Sequence, residues 1–399
     1  MMKIGKIKLI VIFLCLILLF SFVFSAFFVE RPSAAAAAEE RDLSFLNATE
    51  ETATYAKGMA VVEASSGRIL FQKNCNGRFP MASTTKIMTA LVALENAKNL
   101  DETFKVDDRS IGVEGTSLYL QKGEEKTLRE LLYGLMLPSG NDAAVAIALR
   151  ISKTEEKFVE LMNKKAKSLG LENTHFSNPH GLDAEGHYTS AFDLAKITAC
   201  AMENPTFLEI VKTKNVTVSG NEMVQAKLLK NKNKLLWQME ECEGVKTGFT
   251  DNAKRCFVAS AKKDGMRLIC VVLNCGPMFE ESKRLLQMGF ENYSMVSLLG
   301  EYSKQPSVEV ENGVKTSVET FSKRKFEFPL SKDEIEIVKT EIDLPSKISA
   351  PVKKEQELGK ISIKLGNETL FVEKIYSTSE IESTKFMDKL EKITGYWNL

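Results

Sequence analysis

Met81-Ala82-Ser83-Thr84-Thr85-Lys86-Ile87-Met88-Thr89-Ala90-Leu91-Val92-Ala93-Leu94 is the stretch on which the fold turns. From Ile87 to Leu94 it is apolar nearly all round, the composition of a helix lodged inside a core. Ser83 stands at the head of that helix, and Lys86 follows three residues on. Residues at this spacing share a helix face, so the Lys86 amine can reach the Ser83 hydroxyl and take its proton. The pair is a nucleophile with its own base. The same tetrapeptide spacing recurs at Ser260 with Lys263 and at Ser322 with Lys325, without the context. Ser260 runs out of a strand-like stretch into the turn Lys262-Lys263-Asp264-Gly265, and Ser322 lies in a Lys/Arg-rich segment with no apolar helix behind it.

Around this segment the chain is long enough, at 399 residues, for two domains and a substantial core. With 44% hydrophobic and 27% charged residues it has ordinary globular composition, which argues against disorder. Lys plus Arg equals Asp plus Glu at 53 each, so no global field draws in nucleic acid, and specificity must come from a local site. At the N-terminus Lys3, Lys6 and Lys8 precede an uncharged run over residues 9–29, then Pro32-Ser33 and alanines 34–38. That order reads as a signal peptide over residues 1–38, hence export to the extracytoplasmic face of the membrane or the cell wall; the run is also long enough to remain as an anchor. Of seven cysteines, Cys15 lies in the leader. No C-x-x-C pair occurs among the rest, which read as buried free thiols.

Two β-like runs, residues 59–63 and 68–72, flank the hairpin signal Ala64-Ser65-Ser66-Gly67. A helical run over 128–137 stops at Pro138, and helix resumes over 142–150. Ser152 with Glu155 predicts a capping box for a helix ending at Gly170, and a further helix is expected over 190–202. Residues 254–260 and 266–272 should pair antiparallel, with a helix over 279–298 returning across the sheet. Strands, a block of helices, then strands again predict an α+β fold: an antiparallel sheet flanked by helices, with an inserted helical lobe. The catalytic domain is expected over 39–300, and alternating runs predict a small all-β domain, a β-sandwich, over 304–376.

Two further motifs stand out, Ser139-Gly140-Asn141 at the Pro138 break and Lys246-Thr247-Gly248 at the expected start of a strand. Ser219-Gly220-Asn221 repeats the first motif's letters, but between Val216-Thr217-Val218 and Met223-Val224 it reads as a hairpin turn. Ser83-x-x-Lys86, Ser139-Gly140-Asn141 and Lys246-Thr247-Gly248, in that order, resemble the penicillin-recognising serine enzymes, specifically the D-alanyl-D-alanine carboxypeptidases among low-molecular-mass penicillin-binding proteins. The similarity extends through residues 81–89, Asn178-Pro179-His180-Gly181-Leu182-Asp183, Asn231-x-Asn233-x-Leu235-Leu236, and Ala350-Pro351-Val352-Lys353-Lys354 with Leu358-Gly359. Where such enzymes carry Ala-Gly after the third motif, this chain has Ala253-Lys254-Arg255-Cys256.

The resemblance implies a β-lactamase/transpeptidase-like fold and removal of the terminal D-alanine from peptidoglycan stem pentapeptides. Ser83, Lys86 and Ser139 would be catalytic, as nucleophile, base and proton relay. Asn141, Lys246, Thr247, Gly248 and Phe249 would bind substrate: Asn141 at the substrate amide, Lys246 and Thr247 at the terminal carboxylate, and the Phe249 N–H with that of Ser83 at the oxyanion. β-Lactams would acylate Ser83. A class A β-lactamase would share the nucleophile but carry aspartate where Gly140 stands, and a non-catalytic wall-binding relative would be indifferent to Ser83→Ala. No cofactor is implied. His175, His180 and His187 match no zinc spacing and are expected to order the loop before residue 190, so no metal is expected. At the end of the chain Phe386, Leu390, Ile393 and Trp397 recur at helical spacing beside Lys385, Lys389 and Lys392, which predicts an amphipathic membrane-surface helix over 379–399.

Overall fold

Two short apolar-led runs and the Ser-Ser-Gly turn produce the first hairpin, β1 (Gly58–Glu63) with β2 (Ile69–Lys73), in the computed structural model, which describes residues 51–220 and 225–384. Glu63 folds its buried carboxylate back over the turn, accepting from the Ser66 backbone N–H at 2.8 Å and its hydroxyl at 2.7 Å. The apolar stretch follows as a single 3-10 turn, Ala82–Thr85, that runs into helix α1 (Lys86–Asn96).

A helical lobe is then inserted. The short pair β3 (Phe104–Lys105) and β4 (Glu125–Lys126) leads into α2 (Leu128–Met136), α3 (Asn141–Ser152) and α4 (Glu155–Ser168). Thr127 opens α2 with a capping box shared with Glu130. The box expected from Ser152 is displaced by two residues: Ser152 is the last residue of α3, Lys153 turns the chain at φ +70°, and Thr154 caps α4. Two consecutive helices need a reversing residue between them, and only Thr154 stands after it. Helices α5 (Ala191–Met202), capped by Ser190, and α6 (Pro205–Lys212) complete the lobe. A hairpin of β5 (Asn215–Val218) and β6 (Lys227–Lys230) encloses Ser219-Gly220, and the single turn α7 (Leu235–Gln238) returns the chain to the sheet.

The sheet is finished by β7 (Cys242–Thr250), β8 (Lys254–Lys263) and β9 (Met266–Leu273), giving the antiparallel order β2-β1-β9-β8-β7. Lys246-Thr247-Gly248 therefore occupies the second half of β7 rather than its start. Successive side chains point to opposite faces. Val62, Val258 and Val271 enter the core shared with Ile87, Leu132, Ile147 and Phe158 of the lobe, while Val61, Phe257 and Val272 enter a second core with Leu285 and Leu286. Both faces are covered, which is why β8 and β9 read as unbroken apolar runs.

Helix α8 (Met278–Asn292) covers that second face and stops six residues short of the expected end. Tyr293 starts β10 (Tyr293–Leu299), which pairs with β13 (Phe326–Ser331); the alternation of Tyr293, Met295 and Ser297 with their neighbours serves that long-range partner. β11 (Ser303–Glu311), β12 (Ser317–Ser322), a short helix α9 (Lys332–Ile337), β14 (Val338–Asp343), β15 (Lys347–Ser349), β16 (Glu357–Leu365) and β17 (Glu368–Ser377) complete the C-terminal β domain. Its larger sheet runs β14-β16-β17-β12-β11-β15.

Arg68, almost fully buried at the end of the first hairpin, ties the two parts together. It donates to the Pro329 carbonyl at 2.6 Å, pairs with Glu334, and its guanidinium lies 5.3 Å and 5.5 Å from the Tyr293 and Phe328 ring centroids. The six cysteines among the described residues are free thiols, all buried except the half-buried Cys200. The signal-peptide reading and the helical stripe from Lys385 to Trp397 lie outside the described residues.

Candidate active site

Ser83 sits in the 3-10 turn rather than on the α-helix, and this sharpens the expected pairing because i and i+3 side chains eclipse in that geometry. Lys86 Nζ lies 2.9 Å from Ser83 Oγ, 2.6 Å from Asn141 Oδ1 and 2.7 Å from the His180 carbonyl. Lys86 is 0% exposed. Burial pushes its pKa well below the ordinary lysine value, the cations of Lys246 and Lys232 push it further, and Asp142 opposes them. A neutral amine that gives its two N–H bonds to Asn141 Oδ1 and the His180 carbonyl turns its lone pair to the Ser83 hydroxyl, as a general base requires.

Ser139-Gly140-Asn141 is brought to the same place by the break between α2 and α3. Ser139 takes φ +73°, and the Asn141 N–H donates to the Thr116 carbonyl at 2.7 Å. Besides accepting from Lys86, the Asn141 amide donates to the Glu114 carbonyl at 2.6 Å, so in this state it orders the catalytic amine and a rim loop together. Ser139 Oγ is buried and has no hydrogen-bond partner among the described residues.

Strand β7 forms the opposite wall. A Cβ on Gly248 would lie 3.0 Å from Ser83 N and 3.1 Å from the Met81 carbonyl, so glycine lets this strand lie against the Ser83 turn without pressing it aside by a few tenths of an ångström. Lys246 is buried, donates to the Thr247 carbonyl at 2.9 Å, and has its pKa lowered to about 7 by burial and then by Lys232. Phe249 is exposed at the rim. A cleft of about 450 Å³ is lined by Ser83, Ser139, Thr247, Gly248 and Phe249, with Thr116, Lys232, Lys234, Arg255, Met278 and Phe279 completing it. The eight sequence-derived residues thus converge from three separate segments, and Arg255, one of the two unexpected basic residues, faces the cleft while Lys254 is absent from its lining.

Supporting residues escaped the sequence reading. Asp142 accepts from the Leu118 N–H at 2.7 Å, the Leu120 N–H at 3.0 Å and the Ser117 hydroxyl at 2.6 Å, pinning the rim loop over the cleft. Its position just after Asn141 was the available signal. His187 backs the nucleophile turn. The Ser177 N–H donates to His187 Nδ1 at 3.0 Å, so the proton resides on Nε2 and is donated to Thr85 Oγ1 at 2.8 Å, which donates in turn to the Ala82 carbonyl at 2.8 Å. Burial, with His175 nearby, lowers its pKa to about 4, in keeping with the neutral ring. Gly181, at φ +90°, passes so close that an added Cβ would meet the Ala82 carbonyl at 2.0 Å. The other two histidines also bond within this loop: His175 Nδ1 lies 2.7 Å from the Gly186 carbonyl, and His180 Nδ1 accepts from the Leu182 N–H at 3.2 Å.

Comparison with known proteins agrees with this geometry. The profile of the peptidase S11 family, described as D-alanyl-D-alanine carboxypeptidase, matches residues 46–276, and that of the penicillin-binding protein 5 C-terminal domain matches 293–383. The D-alanyl-D-alanine carboxypeptidase DacF of Bacillus subtilis is 35% identical over 88% of this chain and 92% of its own length. DacA of Escherichia coli K12 is 32% identical over 84% and 86%. The crystal structure of penicillin-binding protein 5 from Haemophilus influenzae superposes with a TM-score of 0.70 at 30% identity, covering 84% of this chain and all of that one. A nucleophile–amine pair in a cleft walled by the second and third motifs, on a chain matched by both profiles, leads to one assignment: the chain belongs to the D-alanyl-D-alanine carboxypeptidase family and is a serine-type hydrolase of that family.

Proposed function

We propose that the enzyme removes the terminal D-alanine from peptidoglycan stem pentapeptides through an acyl-enzyme on Ser83. Ser83 Oγ attacks the carbonyl between the two D-alanines as its proton passes to the neutral Lys86 amine. Backbone N–H groups of Ser83 and Phe249 receive the oxyanion, each donor worth on the order of 3 kcal/mol. Collapse breaks the C–N bond, and the proton reaches the departing amine through Ser139, whose hydroxyl has no competing partner to satisfy. Asn141 hydrogen-bonds the substrate amide, and Lys246 with Thr247 holds the terminal carboxylate beside Gly248. Water then attacks the ester as Lys86 takes its proton, and collapse breaks the ester bond while that proton returns from Lys86 to Ser83 Oγ, restoring the neutral amine and the free hydroxyl. β-Lactams present a strained amide to the same oxygen and acylate it.

The reading extends to location. The leader over residues 1–38 directs export, and the amphipathic stripe over 379–399 holds the enzyme at the extracytoplasmic membrane surface. The observation that carries the proposal is the 2.9 Å Lys86–Ser83 contact around a fully buried amine. Its test is incubation with diacetyl-Lys-D-Ala-D-Ala, which should release D-alanine, together with a fluorescent penicillin, which should label Ser83 alone. Lys86→Ala should fold normally by circular dichroism and lose labelling; normal labelling would remove Lys86 as base. Rapid turnover of the penicillin with no D-alanine released would overturn the carboxypeptidase assignment in favour of a lactamase.

A further inference from the structure

Strand β7 ends the sheet, so its outer edge is unpaired, and the catalytic cleft wraps over that edge. Side chains alternate between the two faces of a strand. A Cβ on Gly248 would meet the Ser83 turn, so Thr247 and Phe249 turn to the other face, the one that α8 covers. On β8 their register partners are Phe257 and Arg255. The Phe257 ring meets Phe279, at the start of α8, edge to face with centroids 4.9 Å apart. Arg255, two residues before Phe257, is on the same face, and it lines the cleft together with Thr247, Met278 and Phe279. Its backbone is fixed as well: besides the ladder with β7, the Arg255 carbonyl accepts from the Cys275 N–H at 2.8 Å. Lys254, at φ +56° in the turn before it, is absent from the lining.

The cations near Thr247 differ in what they can touch. Lys246 is 1% exposed, is absent from the cleft lining and gives its ammonium to the Thr247 carbonyl. With its pKa lowered to about 7, it is only partly charged at neutral pH. Arg255 is exposed to the cleft and always charged, and its side chain has no ion-pair or hydrogen-bond partner among the described residues. A guanidinium presents parallel N–H groups that match both oxygens of a carboxylate, which an ammonium cannot do. We propose that Arg255 binds the carboxylate of the substrate's terminal D-alanine, forming with the Thr247 hydroxyl a clamp on the α8 side of β7, and that it thereby sets a preference for peptides with a free C-terminus. The inference rests on the stem-peptide reading above and adds the residue that reads the free end of that peptide. Lys246 acts from behind the strand through its field, while Arg255 makes the contact. Because that carboxylate departs with the leaving D-alanine, the contact acts on formation of the acyl-enzyme and not on its hydrolysis.

The test uses the full chain and two substrates that differ in one group: diacetyl-Lys-D-Ala-D-Ala, whose sole charge is the terminal carboxylate, and its C-terminal amide, which has none. Release of D-alanine and of D-alaninamide gives kcat/KM for each. Arg255→Gln should lose about tenfold on the acid, the scale for a charge-assisted bond at a partly solvated site, and less than about twofold on the amide. The acid-to-amide ratio is taken within one preparation, so it does not depend on how much of the variant is folded. Arg255→Lys should recover part of the ratio, since the charge remains and the fork is gone. Arg255→Gln should also slow acylation of Ser83 by benzylpenicillin about tenfold, because that ligand carries its carboxylate on the same side of the reacting carbonyl. An unchanged kcat/KM on the acid, or equal losses on acid and amide, would overturn the inference. A loss confined to the pentapeptide L-Ala-γ-D-Glu-Lys-D-Ala-D-Ala would turn the guanidinium toward the carboxylate of the stem and overturn it too. So would a ratio that collapses in Lys234→Gln and holds in Arg255→Gln, which would move the contact to the lysine. If the wild-type chain released no D-alanine from the acid, the failure would be that of the carboxypeptidase reading; the benzylpenicillin rate would then decide for Arg255 if slowed tenfold in Arg255→Gln and against it if unchanged.

Discussion

In the proposed reaction Lys86 concentrates the chemistry, because as a base it must be uncharged, while the three oxygens around it would equally welcome a charged amine. Burial supplies most of the bias toward neutrality, with the Lys246 and Lys232 cations adding to it. Replacing Lys232 by glutamine removes one cation and must raise the Lys86 pKa, so the acid limb of the pH profile for penicillin acylation should move to higher pH. A stopped-flow acylation series across pH checks this; an unmoved or acid-shifted limb contradicts it. Gly248 is the second sensitive residue. With Ser83 N 3.0 Å from an added Cβ, Gly248→Ala presses β7 and the Ser83 turn apart by a few tenths of an ångström, and with them the two N–H groups proposed to receive the oxyanion. Acylation should fall by about 10²–10³, the scale for a lost oxyanion donor, while thermal stability changes little.

Among the elements, the loop that carries His175, His180 and His187 acts as a brace beneath the Ser83 turn. His180 and His187 both have pKa values lowered to about 4, mainly by burial. Between pH 6.5 and 4 the unfolded chain binds protons that the folded chain refuses, so stability falls as pH drops through that window and the dependence levels off below it. For His187 alone the loss is on the order of 3 kcal/mol. His187→Leu should flatten this part of the stability curve, measured by urea unfolding at several pH values, and should also slow acylation because Thr85 loses its donor. Much of this level was legible beforehand: the buried helix behind Ser83, the Pro138 break and the β8–β9 hairpin all announce themselves by local pattern. What escaped depended on distant partners. Tyr293–Leu299 continues the amphipathic pattern of α8 and becomes a strand only because Phe326–Ser331 is there to pair with it. Likewise the place of Asp142 beside Asn141 marks it as part of the site, but does not reveal that its carboxylate gathers the N–H groups of Leu118 and Leu120, 24 and 22 residues away.

Across the whole molecule, Arg68 is the side chain through which the catalytic part grips the β domain. Its removal would leave the Pro329 carbonyl and Glu334 without their donor and open a gap between Tyr293 and Phe328. Arg68→Ala should cost about 3 kcal/mol, the scale for breaking a buried pair. It should separate the single unfolding transition into two in calorimetry, with D-alanine release from a short peptide preserved; one undivided transition at the wild-type temperature would contradict the role. The thiols belong to this scale as well. Burial raises Cys242 and Cys256 to about 11 and Cys270 and Cys275 to about 12, so hardly any reactive thiolate exists at neutral pH. Burial thus shields these four thiols from the redox poise of the surroundings: an oxidant or an alkylating reagent finds little thiolate there to attack.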